Sequence, residues 1–166
     1  MNEALGKAIE SMTRLNRNGA RLMLKYGIYF LLSEKLCSSP FSDANDHPTG
    51  AHGATDVTGF GLIGHASNLA QNQAGKMNIE IHSLPIISPF HEVAPLFPFF
   101  KLLQGFSAET SGGLLVALPE NVAQQFMDEL VELDGQPAWI IGKVVENTTS
   151  ENNTAYIIDN FNIIEV

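Results

Sequence analysis

Ala54-Thr55-Asp56-Val57-Thr58-Gly59-Phe60-Gly61-Leu62-Ile63-Gly64-His65 is the stretch on which the fold turns. It reads as the end of a short strand at 53–56, then an acidic residue, a hydroxyl and glycines, then a helix from Thr58 to Gln73. Leu62, Ile63, Ala66, Leu69 and Ala70 make one apolar stripe along that helix, and Gly75 is its stop. Asp56 offers a hard carboxylate of the kind Mg²⁺ accepts beside phosphate oxygens. Thr58 is placed to cap the helix, and a helix start carries unpaired amides that suit phosphate. Gly59 and Gly61 allow backbone to pass close by, and Gly61 and Gly64 leave one helix face open to another backbone. The structural alternative stands beside this: an Asp before a helix is often only a cap, and turn glycines often only accommodate the backbone. The spacing Gly59, Gly61, Gly64 matches a dinucleotide-binding fingerprint, but it follows an acidic strand end, and no Lys follows as in a P-loop.

Upstream, Leu5, Ala8, Ile9, Met12, Leu15, Gly19, Leu22 and Met23 recur at helical spacing, which predicts one helix over 2–25 with Asn2 as its cap. Ser38 to Gly53 reads as an irregular loop. Downstream, Met77 to His82 alternates as a strand, and Leu84 to Pro98, with four prolines, allows short helical turns at most. Leu114 to Leu118 is an apolar strand. Pro119 opens a helix through Val131, with Val122, Phe126, Leu130 and Val131 facing inward. Ala138 to Val145 is a strand broken by Gly142, and Ala155 to Ile158 and Ile163 to Val166 are short final strands. Interleaved strands and helices predict an α+β (layered α/β) class, a mixed β-sheet covered by helices.

The chain has 166 residues, 45% of them apolar, and one cysteine, Cys37, which cannot form an internal disulfide. With mean hydropathy of +0.05 this is a globular composition, and no run approaches the ~20 apolar residues of a membrane span. Glu3 and Glu10 sit where a signal peptide would be apolar, so the expected location is cytoplasmic. Nine basic against 18 acidic residues give a net charge of −9, which argues against nucleic acid as a partner but not against a nucleotide held through a metal. His47, His52, His65, His82 and His91 show no metal-ligand spacing. His65 is expected to pack or hydrogen-bond. Glu109-Thr110-Ser111 before two glycines reads first as a turn, and Trp139 as core. Phe97, Phe99 and Phe100 either face another domain or close the core.

Ala54 to His65 resembles the signature of selenophosphate synthetases (selenide, water dikinases). Met12-Thr13-Arg14-Leu15-Asn16-Arg17, Glu109 to Leu115, Ala138-Trp139-Ile140-Ile141-Gly142 and the tail Ile163 to Val166 resemble further stretches of that family, in order. The resemblance implies the fold of the C-terminal domain of aminoimidazole ribonucleotide synthetase-like proteins. It implies that 1–166 is the single C-terminal domain of a two-domain synthetase, with the N-terminal ATP-binding, catalytic domain absent. The family converts selenide and ATP to selenophosphate, AMP and phosphate, for selenocysteine synthesis. By the resemblance Asp56 is a Mg²⁺ ligand at the nucleotide phosphates, and Thr58 and Gly59 hold phosphate or shape the loop. No catalytic nucleophile falls in this chain, so alone it is expected to be inactive. Implied partners are the N-terminal domain and, for the whole protein, a second copy in a homodimer. Tyr26 to Gly50 departs from the family as an insertion. A non-catalytic paralogue or binding module of the same fold is the other reading.

Overall fold

The computed structural model describes residues 2–27, 51–88, 90–107 and 112–166. The 26–50 insertion, Cys37, His47 and the Glu109-Thr110-Ser111 turn lie wholly or mostly outside them. The chain divides into two compact units, one of residues 1–15, 55–115 and 141–166, the other of 16–54 and 116–140.

The first unit contains α1 (Asn2–Thr13), α3 (Gly61–Gln71) and a three-stranded sheet. In that sheet β2 (Met77–Ile86) is central, between β4 (Gly142–Glu146) and β5 (Ala155–Glu165). β2 pairs antiparallel with β4 and parallel with β5, so the sheet is mixed, as expected. β2 runs past the expected His82 to Ile86, and Pro85 is tolerated in it because pairing with β4 ends at Ile81↔Gly142. On that side the Ile141 carbonyl accepts from the His82 and Ser83 amides at 2.9 and 3.1 Å. Ala138–Ile141 therefore lies outside the strand, which begins at Gly142, where a Cβ would collide with the Glu80 carbonyl oxygen.

β5 is one continuous strand rather than the two short ones expected. Its register against β2 moves from Ile81↔Ile157 to Ser83↔Asn162, so a bulge takes up the polar Asp159-Asn160 stretch without ending the strand. The core joins Ile63, Ala66 and Ala70 of α3 to Ile79 and Ile81 of β2 and Ala155 of β5, with Leu62 and Leu69 half-buried against it. That is the stripe read from the sequence. Each fully buried isoleucine, such as Ile81, contributes roughly 1.5–3 kcal/mol.

Between β2 and β3 (Gly113–Ala117) the chain makes α4 (Phe90–Val93) and 3₁₀ turns at Ala94–Leu96, Pro98–Phe100 and Leu102–Gln104. Prolines deny this segment the amides of a longer helix. Phe97, Phe99 and Phe100 pack on one another, with the Phe99 and Phe100 centroids 4.5 Å apart, and all are exposed.

The expected single helix over 2–25 is instead α1 and α2 (Arg17–Gly27), separated at 14–16. The Thr13 hydroxyl donates to the Glu10 carbonyl at 2.8 Å, the Arg14 amide turns back to Ser11, and the Asn16 carbonyl accepts the Ala20 amide at 2.9 Å. Asn at the residue before Arg17 is a good helix start, and this competing signal overrides the continuous apolar spacing. On α1 only Ala8 of the expected stripe is buried; Leu5, Ile9 and Met12 are exposed.

In the second unit α2 packs on α5 (Glu120–Asp134), with Gly19, Leu22 and Phe126 buried. Tyr26 lies against Phe126, ring centroids 5.8 Å apart. Asn18 Nδ2 donates to Asp134 Oδ1 at 2.6 Å, and Tyr26 Oη donates to Glu129 Oε1 at 2.6 Å. Pro119 precedes the first turn as expected, and Gly135, with φ 66°, donates its amide to Val131 and ends the helix. Val131 is exposed rather than inward, as are Ile140 and, at 36%, Trp139, against the expectation of a core tryptophan. An apolar residue in an irregular segment has no strand alternation to turn it inward. β1 (Gly53–Val57) pairs with β3, and the bonds from His52 to Ala117 and from Gly112 to Val57 show that they run in opposite directions.

Candidate functional site: the turn from β1 into α3

Asp56 is the penultimate residue of β1, and strand alternation turns it outward between the half-buried Thr55 and Val57. Its carboxylate is exposed, not folded into the core. Thr58 and Gly59 follow after Val57, so the residue read as a metal ligand and the two read as holding phosphate or shaping the loop occupy one short stretch. Gly59 is exposed, and a Cβ there would meet nothing within 4 Å. Openness, not close packing, is what this glycine contributes.

The helix starts later than the sequence predicts. Phe60 holds the cap position with no side-chain capping bond, and the first helical residue is Gly61. Thr58 is therefore not the cap. Its hydroxyl lies 2.9 Å from His65 Nε2 instead, and the ring's tautomer sets which of the two donates. Only the Thr58 carbonyl serves the helix start, accepting the Gly61 amide at 2.9 Å. The Ile63 amide is taken by the Gly105 carbonyl at 2.9 Å. The expectation of a helix end with its amides free for phosphate is corrected to that extent.

The glycines split in role. Gly61, at φ 72°, adopts a left-handed backbone, and a Cβ on it would run into the backbone of Gly105, Phe106 and Ser107. This is the close backbone approach foreseen for it. Gly64 does not receive a second backbone; a Cβ there would sit 2.9 Å from Phe60 Cβ. Phe60 thus lies beside the helix, its ring centroid 5.8 Å from that of His65. The 105–107 turn that seats the helix was not read from the sequence.

Among the described residues no three His, Cys, Asp or Glu side chains gather as a metal-binding group. Two other histidines are engaged elsewhere: His82 Nδ1 is 2.9 Å from Ser83 Oγ, and His91 Nε2 is 3.2 Å from Glu165 Oε1. The donor set at the turn is one exposed carboxylate, one hydroxyl and open backbone. It fits part of the shell of a hard cation whose remaining ligands are phosphate oxygens and water. No helix among the described residues is long and apolar enough to cross a membrane.

A mixed sheet with helical cover places the chain in the α+β class, and an outward acidic residue stands at its strand-to-helix turn. The chain belongs to the family described as AIR synthase related protein, C-terminal domain, whose model matches residues 32–151. It is similar to the selenide, water dikinase of Dictyostelium discoideum, 46% identical over 160 residues, covering 94% of this chain and 38% of that protein. It is also similar to the probable selenide, water dikinase of Caenorhabditis elegans, 43% identical over 92% of this chain and 35% of that protein. With selenide, water dikinase 2 of Homo sapiens it shares 40% identity over 98% of this chain and 31% of that protein. The chain thus spans about a third of the length of these relatives.

Proposed function

We propose that this chain is the C-terminal part of a selenide, water dikinase, which makes selenophosphate from selenide and ATP with release of AMP and phosphate. In that reading Asp56 is a ligand to Mg²⁺ bound with ATP, and Thr58 and Gly59 flank it against phosphate. The bound metal would neutralise charge on the phosphoryl group in transfer. Asp56 would hold that ion at the turn, Gly59 leaves the approach unobstructed, and the packing of Gly61 keeps the turn in place. The nucleophile and the other ligands belong to an N-terminal domain, the first partner of this one. The whole enzyme is a cytoplasmic homodimer. Alone, the chain binds Mg²⁺–ATP weakly and does not turn over, because one carboxylate is too few ligands for a hydrated ion.

The single observation that supports the site is the outward Asp56 carboxylate beside an open Gly59. The test is Asp56→Ala in the full-length enzyme. Selenophosphate formation should be lost, and turnover close to that of the unaltered enzyme would overturn the assignment.

A further inference from the structure

His65 lies one turn into α3, and its ring reaches back to the residues before the helix. Thr58 Oγ1 and His65 Nε2 are 2.9 Å apart. Phe60 lies beside the same ring, with centroids 5.8 Å apart and planes inclined by 58°. Gly64 leaves the room for Phe60 to do so, since a Cβ would stand 2.9 Å from Phe60 Cβ. The ring is carried on a well-fixed element: Ile63 and Ala66, its neighbours on α3, are in the core.

A threonine hydroxyl left to itself samples alternative χ1 wells, and at a helix entry it would compete for backbone amides. Here it is held from the side by a group one turn into the helix. Thr58 stands two residues after Asp56, so tying it to His65 ties the turn that carries the carboxylate to the rigid helix. We infer that His65 is a positioning residue: through the Thr58 hydroxyl it fixes the 56–59 turn for binding of the metal–nucleotide. This rests on the reading of Asp56, Thr58 and Gly59 above. His65 itself touches no substrate in it.

The test uses the full-length enzyme and separates KM for Mg²⁺–ATP from kcat. His65→Phe keeps a flat ring beside Phe60 and loses the polar contact, and should raise KM by about 3- to 10-fold, the worth of one hydrogen bond, with a smaller change in kcat. His65→Gln, whose amide can meet the hydroxyl, should bring KM back to within about twofold of the unaltered value. Thr58→Val combined with His65→Phe should be no worse than the more severe single change, because both break one contact. With ¹⁵N-labelled histidine in the same protein, Thr58→Val should shift the His65 ring nitrogens. An unchanged KM in His65→Phe, no rescue by Gln, additive effects in the double variant, or ring nitrogens indifferent to Thr58→Val would each overturn the positioning role. If Asp56→Ala is inactive and His65→Phe binds normally, only this inference fails. If Asp56→Ala is active, the underlying site assignment fails instead.

Discussion

The Ile63 amide donates to the Gly105 carbonyl at 2.9 Å, which seats the first turn of α3 on a turn distant in sequence. Gly61 makes the contact possible, because its left-handed backbone and missing side chain let the 105–107 backbone lie against it. Gly61→Ala meets both penalties. It should lower stability by roughly 1–3 kcal/mol from backbone strain alone, with steric overlap added. Chemical denaturation measures this, and a loss below about 0.5 kcal/mol, the range of an ordinary surface change, would contradict the arrangement.

Asn153 is a second fixing point that the sequence did not suggest. Its Nδ2 donates to the carbonyls of Gly75 at 2.7 Å and Ala70 at 3.2 Å, and its Oδ1 accepts the Met77 amide at 2.9 Å. It thus closes the end of α3 onto the start of β2. Asn153→Ala leaves those groups without their partner and should cost about 1–3 kcal/mol. Asn153→Asp should be worse still, since a carboxylate would face carbonyl oxygens. A denaturation midpoint unchanged in both variants would remove the clamp from the account.

What could be read in advance follows a physical divide. Local periodicity carried α3 and α5, because Ile63, Ala66, Ala70 and Phe126 lie on faces whose burial the spacing alone specifies. The acidic strand end at Asp56 was likewise visible, as a carboxylate between a short strand and a glycine-rich turn. Features set by individual side-chain and backbone bonds were not. Thr58 has the residue type of a cap, but His65 offers its hydroxyl a better partner. The apolar spacing through Leu15 continued past a stop made by Thr13 and Asn16, whose side-chain and backbone bonds outrank periodicity. Trp139 and Val131 are apolar yet exposed, and periodicity has no means of telling a covered apolar residue from an uncovered one.

The α2–α5 pair makes a prediction about pH. Burial, then the hydrogen bond to Glu129, pushes the Tyr26 hydroxyl up to about 12 from its ordinary 10.0. Hydrogen bonds from Lys25 and Tyr26 hold the Glu129 carboxyl below its ordinary value. A raised tyrosine means the folded chain keeps a proton that the unfolded chain gives up. Its contribution is complete below 10.0 and disappears as pH climbs toward about 12. A lowered glutamate acts in the opposite sense: its contribution is complete above the ordinary glutamate value and fades as pH falls through the folded one. Melting temperature followed against pH should therefore sag at both ends, and Tyr26→Phe should flatten the alkaline limb. An alkaline limb that is the same in Tyr26→Phe would show that the loss arises elsewhere.

The proposed role of Asp56 separates folding from function. Its side chain is exposed at the end of β1, and the turn beyond it is held by Gly61, Ile63 and the Thr58–His65 contact rather than by the carboxylate. Asp56→Asn should accordingly leave the unfolding free energy within about 0.5 kcal/mol of the unaltered chain, as for a surface change away from any packed feature. With Asp56 as the proposed Mg²⁺ ligand, the same change in the whole enzyme removes the formal charge that a hard cation requires while keeping the shape of the side chain, so turnover should collapse although the protein still folds. Denaturation curves and selenophosphate assays on one preparation give both numbers. A variant that loses stability and activity together would place Asp56 in the framework of the fold, and one that loses neither would leave the turn without a metal ligand.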